Sequence, residues 1–359
     1  MTTTEQEQLA AVDEQMGRLV TDLGSGLQIL LISLGTRSGL WSAMAGAGPL
    51  SVADVAAKVA VDPALVRDWL CAQAASGYLT YDGGSQTFTL PDAGAAVLVH
   101  GPGGPLVEGC VSMFTSMLEG FTEFSEAFAS GKGFGWHQRT AAHWHGNDSF
   151  TRVALPTELI AAAIDQARGV PEALRAGGSV ADVGCGYGTP TLGIAGLYPT
   201  ARVLGVDYHD ASIMAARDVA AREGMPNVRF EVAAAADLPG DGYHLITFFD
   251  SLHDLGDPRG ALIRARAALA PEGAVLLIEP ASFDRVEENL NPGGRMFYAV
   301  STLACTPNAV SQRTATSSEP LGAQAGEAAL RAVAAQAGFG SVRRLEVPAP
   351  MNLVLELRP

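Results

Sequence analysis

Apolar and polar positions divide the chain into a helical first part and a second part in which strands and helices alternate. Apolar side chains recur at helical spacing over residues 8–45, again after Ser51, and again from Leu65 to Ala75. Residues 77–90 then alternate around an Asp-Gly-Gly turn, which predicts a β-hairpin. Helices followed by such a hairpin indicate a winged helix-turn-helix unit.

The second part of the chain carries short apolar runs, several of which end in an acidic residue. The predicted strands are Val180–Asp182, Val203–Asp207, Val228–Val232, His244–Asp250, Gly273–Pro280, 342–347 and 351–357. The helical segments between them predict an α/β fold with an open, mainly parallel sheet that two antiparallel strands close. Ligands of such sheets bind beyond the carboxyl ends of the strands, so a ligand site is expected there.

The segment between the two parts combines predicted helices with an irregular stretch. Helices are expected over residues 106–129 and 156–176. The first helix carries Met and Phe side chains that either fill a core or line a ligand site, namely Met113, Phe114, Met117, Phe121, Phe124 and Phe128. Residues 131–146 lack a regular pattern and are rich in aromatic and histidine side chains, which is typical of segments that border pockets.

Length and composition indicate a globular protein with more than one domain. The 359 residues exceed what one core holds, and we expect domains at residues 1–100, 101–176 and 177–359. Hydrophobic residues make up 48% of the chain and charged residues 17%. No apolar run reaches the roughly 18 residues of a membrane span, and the polar start Met1–Glu5 lacks the pattern of a signal peptide. A cytoplasmic protein without membrane contact is expected.

The charge of the chain argues against nucleic acid as a partner. The net charge is -15, and residues 1–100 hold 4 Lys and Arg against 10 Asp and Glu. The second helix of the winged unit, where base contacts would lie, offers Arg67 as its only cation. The four cysteines are widely spaced, which predicts reduced thiols rather than a disulfide framework or a zinc site.

A glycine-rich loop follows the first strand of the sheet, with Gly184, Gly186 and Gly188 at every second position after Asp182. Glycine permits a tight turn from strand to helix and lets a ligand lie against bare main chain. A dinucleotide fingerprint would place its third glycine one residue later, which disfavours NAD. A nucleotide-like ligand of another kind is the expected occupant.

Asp207 ends the second strand, 19 residues after Gly188. An acid at this position can accept hydrogen bonds from both hydroxyls of a ribose. The alternative is a cap for the helix that begins near Ala211. The place of Asp207 directly after a buried strand favours the ribose.

Several runs of sequence resemble those of class I S-adenosylmethionine-dependent methyltransferases, in particular a bacterial family with an N-terminal winged helix. The Asp-x-Gly-x-Gly-x-Gly order of residues 182–188 is similar to their first motif. Leu-His-Asp at residues 252–254 is similar to the segment in which a histidine is the general base of small-molecule O-methyltransferases. Asn-Pro-x-x-Arg-x-Phe-Tyr at residues 291–298 and Asn-Leu-Val-Leu-Glu at residues 352–356 extend the resemblance over nearly the whole chain.

The resemblance implies a Rossmann-like sheet behind a winged-helix dimerisation domain, and methyl transfer from S-adenosylmethionine that leaves S-adenosylhomocysteine. His253 would be the general base, because an imidazole with a pKa near 6.5 can take a hydroxyl proton. Glu279 would orient the ring, with Asp254 beside it. A homodimer is expected through the first domain, whose segment Leu27–Ile32 is too apolar for a helix exposed on all sides. Burial of this segment against its own chain would explain its composition as well.

The remaining candidate site residues lie at the strand ends and in the irregular segment. Those implied to bind the cofactor are Asp182, Gly184, Cys185, Gly186, Gly188, Asp207, Tyr208, Ala236, Asp237, Phe249 and Asp250. Those expected to contact the acceptor are Trp136, His143, Trp144 and Phe297. No metal is expected, because the only acid near the His143-x-His145 pair is Asp148.

The acceptor is expected to be a small apolar or aromatic molecule, and O-methylation is favoured. Carbon methylation would need a base but could use another carboxylate such as Glu158, and nitrogen methylation can proceed without a base. Two other classes remain open, a ligand-sensing regulator built on the methyltransferase fold and an NAD-dependent oxidoreductase.

Overall fold

The structure, a computed structural model, describes residues 3–359. The chain forms two compact units, one ending at Ser112 and one spanning Met113–Pro359. The first unit has the predicted order of helices followed by a hairpin, and the second has the predicted alternation of strands and helices.

The first unit holds five helices and a two-stranded hairpin. Their bounds are α1 Thr3–Arg37, α2 Leu40–Met44, α3 Val52–Val59, α4 Pro63–Ala75, β1 Thr80–Asp82, β2 Thr87–Thr89 and α5 Asp92–Leu98. The single helix expected over residues 8–45 is divided, because Gly39 takes a left-handed φ of 70° between α1 and α2. Antiparallel pairing of Tyr81 with Phe88 forms the predicted wing.

Two tryptophans anchor the core of the first unit. The rings of Trp41 and Trp69 meet edge-on, with their centroids 4.6 Å apart. Trp41 Nε1 donates to the Ile32 carbonyl oxygen at 3.0 Å, and Trp69 Nε1 donates to that of Leu31 at 2.9 Å. Because a buried indole N–H needs an acceptor, these bonds fix α2 and α4 against α1.

One face of α1 carries a long stripe of exposed apolar side chains. They recur at spacings of three and four residues and are 48% to 63% exposed. The members of this α1 stripe are Leu9, Val12, Met16, Leu19, Leu23, Leu27, Leu30 and Leu34. Such spacing keeps side chains on one face of a helix, as at a helix–helix contact.

The α1 helix also meets a length and composition test for a membrane span. An 18-residue window within Gln6–Arg37 has a mean hydropathy of 1.4, and 17% of that window is buried. The sequence prediction concerned unbroken apolar runs, none of which reaches the roughly 18 residues of a membrane span. The average over a window differs from it, because the window tolerates up to two charged residues.

The second unit contains the main sheet, which its helices flank. The strands are β3 Ser179–Val183, β4 Arg202–Asp207, β5 Val228–Val232, β6 Tyr243–Phe249, β7 Leu269–Pro280, β8 Ser341–Arg344 and β9 Asn352–Arg358. The helices, of which α6 begins in the first unit, are α6 Gly103–Glu119, α7 Phe121–Ser130, α8 Ala141–Ala154, α9 Thr157–Gln166, α10 Val170–Arg175, α11 Thr189–Leu197, α12 Asp210–Glu223, α13 Pro258–Ala268, α14 Pro292–Val300, α15 Thr306–Ser311 and α16 Gly326–Gln336. A five-residue π-helix, Ser301–Cys305, joins α14 to α15.

The seven strands of this sheet lie in the order β5-β4-β3-β6-β7-β9-β8. Strands β3 to β7 are parallel, and β9 runs antiparallel to both β7 and β8, as predicted. Side chains alternate between two cores, with Val180 and Leu245 on one face and Ala181 and Ile246 on the other. The strand order reverses between β3 and β6, so the glycine loop after β3 lies at the topological switch point.

Three helical segments differ from the expectation. The helix over residues 106–129 breaks at Gly120, and its stripe is not all core, because Phe121 and Phe128 are 53% and 63% exposed. The helix over residues 156–176 is interrupted at Gly169, which has a left-handed φ of 73°. Residues 141–146 are not irregular but form the start of α8, where tertiary packing overrides the weak helix preference of histidine and tryptophan.

Candidate active site

The glycine loop turns from β3 into α11 through three left-handed residues. The φ angles of Gly184, Gly186 and Gly188 are 74°, 51° and 80°, which side chains disfavour. A Cβ on Gly184 would collide with Ser251, and one on Gly188 would collide with the Phe230 ring. A Cβ on Gly186 would meet nothing within 4 Å. The space over the backbone of Gly186 is therefore open to a ligand.

Asp182 supports this loop from inside the protein. It is 1% exposed and accepts hydrogen bonds from Thr191 Oγ1 at 2.5 Å and Thr247 Oγ1 at 2.7 Å. Burial raises the pKa of Asp182 to about 6, although the two hydroxyls oppose the rise. The Cys185 thiol is also buried, and a Cβ on Gly205 of β4 would lie 3.0 Å from it. The side chains of Asp182 and Cys185 thus brace the loop from inside the protein.

Asp207 lies at the tip of β4 beside the open position. Its Oδ2 accepts from the Gly186 backbone N–H at 3.0 Å, and its Oδ1 accepts from that of His209 at 2.9 Å. A carboxylate has about four lone-pair positions, so each oxygen retains capacity for a further donor. The structure therefore places two acceptor positions next to the open backbone of the loop.

Tyr208 belongs to a network that joins the end of β4 to the turn after β6. Its hydroxyl accepts from the Trp136 backbone N–H at 3.1 Å and donates to Asn308 Oδ1 at 3.2 Å. Asn308 Nδ2 in turn donates to the Asp254 carbonyl oxygen at 3.2 Å. Sequence reasoning missed Asn308, because it lies on α15 in a segment with no motif.

The two tryptophans expected at the acceptor pocket, Trp136 and Trp144, contact the residues that follow β4. Trp144 Nε1 donates to the Trp136 carbonyl oxygen at 3.1 Å, and the Trp144 ring lies 4.4 Å from that of His209. Trp136 and Trp144 therefore lie next to the residues that follow Asp207. Phe297 is half-buried on α14.

The remaining candidate cofactor residues lie at the ends of β5 and β6. Ala236 and Asp237 form an exposed turn after β5, whereas Phe249 is buried. Asp250 adopts an unusual left-handed φ of 49° and accepts from Asn352 Nδ2 at 3.2 Å. Burial and, next, the charge of Glu279 raise the pKa of the Asp250 carboxyl to about 7.

His253 lies in a short turn after β6 and is held from both sides. Its Nδ1 is 2.5 Å from Glu279 Oε2, and its Nε2 is 3.2 Å from Asp254 Oδ1. Glu279 Oε1 also accepts from the Leu252 backbone N–H at 2.9 Å, which fixes the carboxylate. His253 and Glu279 are 4% and 2% exposed. The structure thus brings together the three residues predicted for catalysis.

The flanking charges set the protonation of this ring. Burial by itself lowers the pKa of His253, but the charges of Glu279 and Asp254 outweigh burial and hold the pKa well above 6.5. Burial raises the pKa of Asp254, which the positive charge of His253 opposes. Asp254 Oδ1 has no hydrogen-bond partner despite its closeness to Nε2. A proton is therefore favoured on the ring at neutral pH.

Cys305, at the end of the π-helix, completes this cluster. The donor atoms of His253, Asp254 and Cys305 all lie within 4.8 Å of one another. Burial and the charge of Asp254 raise the pKa of the thiol to about 12. Transition metals also bind nitrogen, oxygen and sulfur donors, but metal binding would require the loss of the protons favoured here. Sequence reasoning missed the place of Cys305 beside His253, because the two residues are far apart along the chain.

The histidines of α8 lie on different sides of that helix. His143 is 1% exposed, and burial together with the charge of Arg139 lowers its pKa to about 3, so the ring is neutral. His145 is exposed, and its Nδ1 contacts the Ala141 carbonyl oxygen at 2.6 Å. Side chains two residues apart on a helix do not face each other, which argues against a metal pair.

Comparison with known proteins gives matches in both units. Residues 174–326 match the family model of a methyltransferase domain, and residues 26–100 match that of an Rv2258c-like winged HTH domain. A trans-aconitate 2-methyltransferase of Paracidovorax citrulli is 31% identical over 152 residues, which are 42% of this chain and 54% of that protein. The chain thus spans about half the length of the curated relatives it matches.

Solved structures of the same fold extend over nearly the whole chain. An O-methyltransferase family protein of Burkholderia thailandensis has a TM-score of 0.66 at 18% identity, covering 96% of this chain and 97% of that one. Human N-acetylserotonin methyltransferase, in complex with SAM, has a TM-score of 0.65 at 18% identity, with the same coverage. These structures share the fold of this chain, of which residues 174–326 match a methyltransferase domain and residues 26–100 match a winged HTH domain.

Proposed function

We propose that this protein transfers a methyl group from S-adenosylmethionine to an oxygen atom of a small acceptor. The observation that carries this proposal is an open glycine loop beside Asp207, at the same sheet edge as the buried His253–Glu279 pair. The match to a methyltransferase domain and the SAM bound by a structural neighbour support the choice of cofactor. Calorimetric titration with S-adenosylmethionine and S-adenosylhomocysteine tests it, and the absence of binding by either would overturn it.

The residues of the loop fit the chemistry of this cofactor. The bare backbone at Gly186 would lie against the cofactor, and Asp207 would accept hydrogen bonds from the ribose hydroxyls. When bound, the cofactor supplies a methyl group activated on a sulfonium. The protein has to align the acceptor with that methyl group and exclude water from the site.

His253 would act as the base that receives the hydroxyl proton of the acceptor. Glu279 holds Nδ1, so Nε2 is the atom that would take the proton. The ring must first lose the proton favoured on it at neutral pH. Once the acceptor proton is on the ring, the charge of Glu279 stabilises the imidazolium.

The pH dependence of turnover follows from this arrangement. Because the pKa of His253 lies well above 6.5 and the base must be neutral, kcat/KM is expected to be low at and below pH 6.5 and to rise above it. The Glu279→Gln variant loses the negative charge beside His253 while the ring stays buried, so the pKa of His253 should fall. The rising limb of the kcat/KM profile should therefore move to lower pH. Profiles of kcat/KM against pH for wild type, Glu279→Gln and the exposed control Glu272→Gln measure this. Identical midpoints in all three would contradict the assignment.

An oxygen acceptor fits the site better than the alternatives. Glu158, the other base considered for carbon methylation, is exposed in the first turn of α9. His253 is buried and paired, as a base in a water-excluding site requires. Methylation of a nitrogen acceptor would not require the His253–Glu279 pair as a general base. The two tryptophans near the end of β4 support an acceptor with apolar or aromatic surface.

The other two classes of function have less support. A DNA-binding regulator would need cations on α4, where the guanidinium of Arg67 instead pairs with Asp68 at 3.1 Å. An oxidoreductase would need the glycine spacing of a dinucleotide site, which the loop at residues 184–188 lacks.

We infer that the partner of the α1 stripe is a second copy of the chain. Replacing Leu23 and Leu27 together by glutamate should convert a dimer into monomers, because burial of each leucine contributes roughly 1.5–3 kcal/mol. Ser25→Glu, on the opposite side of the helix, is the matched control and should remain dimeric. Light scattering with size-exclusion chromatography measures the masses. A wild-type monomer would contradict the inference, and vesicle binding that the double variant abolishes would assign the stripe to a membrane.

A further inference from the structure

Arg139 carries a buried positive charge that lacks an ion-pair partner. Its side chain is 7% exposed. Nη2 donates to the Leu303 carbonyl oxygen at 2.6 Å, and Nε has no hydrogen-bond partner. Throughout residues 3–359, no carboxylate oxygen lies within salt-bridge distance of this guanidinium. Burial of a charge in this way costs free energy unless an anion pairs with it.

The guanidinium lines a small cavity whose walls are aromatic and polar. The cavity measures about 30 Å³, and its lining includes Arg139, Phe121, Phe124, Phe134, Ser116 and Gln138. One water needs roughly 10–15 Å³ measured in this way, so a small polar group fits. The Arg139 guanidinium carbon lies 5.2 Å from the centre of the Phe134 ring, which restrains it by a cation–π contact.

This cavity adjoins the candidate base through the π-helix. Leu303 lines the cavity and accepts the hydrogen bond from Arg139. Cys305, two residues later in the same π-helix, contacts His253 and Asp254. The guanidinium of Arg139 is also close enough to Asp254 and Cys305 for their charges to act on it. The cavity therefore lies near the residues that contact His253.

The charges around Arg139 agree with the absence of an anion beside it. Burial lowers the pKa of Arg139, and the charge of Asp254 opposes this without overcoming it. The charge of Asp254 therefore acts on the guanidinium of Arg139, but the two side chains do not form an ion pair. The buried ring of His143, also near Arg139, is neutral and supplies no negative charge.

We propose that Arg139 binds a carboxylate group of the acceptor in this cavity. Arginine offers N–H groups in a planar fork that matches the two oxygens of a carboxylate. The Nε–H that lacks a partner would donate to one oxygen. The cavity has room for the carboxylate group, and the rest of the molecule would lie outside it. That the bound carboxylate belongs to a methyl acceptor rests on the proposed function, whereas the anion site itself does not.

A carboxylate and its neutral amide test the proposal on the full-length protein. Benzoate and benzamide, and separately acetate and acetamide, are titrated at constant ionic strength, with and without S-adenosylhomocysteine, and binding is followed by ligand-observed NMR. Wild type is expected to bind each carboxylate at least 10-fold more tightly than its amide. In Arg139→Gln and Arg139→Met this preference should fall below 2-fold. Arg222→Gln, an exposed arginine on α12, is the control and should keep it.

Each result of this experiment has a defined meaning. Equal binding of carboxylate and amide by wild type, no carboxylate binding at all, or a preference that survives in both Arg139 variants would overturn the proposal. Arg139→Met replaces the charge with an apolar chain, so it should fold even if Arg139→Gln does not. Binding of S-adenosylhomocysteine is measured in the same samples. If that binding is absent while the carboxylate preference depends on Arg139, the proposed function fails and the anion site stands.

Discussion

Replacing His253 with alanine is expected to lower kcat by about 10²- to 10⁴-fold, the usual contribution of a general base. The ring is buried, and Glu279 holds its Nδ1 at 2.5 Å. Nε2 lies 3.2 Å from Asp254 Oδ1, which has no hydrogen-bond partner, and under the proposed function Nε2 takes the proton of the acceptor. The measurement is transfer of labelled methyl groups to phenolic and carboxylate-bearing acceptors under saturating conditions.

Cofactor affinity separates this effect from a loss of fold. His253→Ala leaves the glycine loop and Asp207 in place, so affinity for S-adenosylhomocysteine should change by less than about 3-fold. His145→Ala, an exposed histidine on α8, is the matched control and should keep full turnover. Undiminished methyl transfer by His253→Ala would remove the imidazole from the mechanism.

Replacing Asp207 with asparagine is expected to weaken binding of S-adenosylmethionine and S-adenosylhomocysteine by about 100-fold or more. Each hydrogen bond to a charged group is worth about 1.5–3 kcal/mol, and two would be lost or weakened. Asparagine keeps the size of the side chain but has only one acceptor oxygen. Calorimetry gives both dissociation constants directly.

A neighbouring acid provides the comparison for Asp207. Asp210 is exposed at the start of α12, three residues further along the chain, and Asp210→Asn should bind the cofactor as wild type does. Thermal unfolding of both variants shows whether the loop has kept its support, since Asp207 also accepts from Gly186 and His209. Equal affinities of Asp207→Asn and wild type would show that the ribose lies elsewhere.

Periodicity predicted the sheet of this protein because its central strands, β3, β6 and the second half of β7, are buried and end where their apolar runs end. The alternation of Val180 and Ala181 between two cores illustrates this directly. The helical breaks were harder to predict, since Gly120 interrupts an otherwise continuous apolar pattern. Histidine and tryptophan near residue 144 have weak helix preference, and packing decided that segment.

The candidate site was predicted only where a strand end or a motif marks it. Asp207 and His253 follow buried strands, so their place at one edge of the sheet follows from topology. Arg139, Asn308 and Cys305 come from segments without such a marker. The folding of the π-helix and α15 onto the turn at residues 252–254 brings Asn308 and Cys305 there, and local sequence does not encode that approach.

The π-helix at Ser301–Cys305 makes the length of this segment as important as its composition. A π-turn holds one residue more than the α-helical turn it replaces, so the helices on either side of it keep nearly the same relative rotation. Deletion of a single residue within the π-turn should therefore be absorbed as regular α-helix. Deletion of a residue from the regular helix α14 would instead rotate everything beyond it by about 100°. The thiol of Cys305 would then leave the imidazole, and the amide of Asn308 would leave Tyr208, while every residue at the cofactor loop stayed the same.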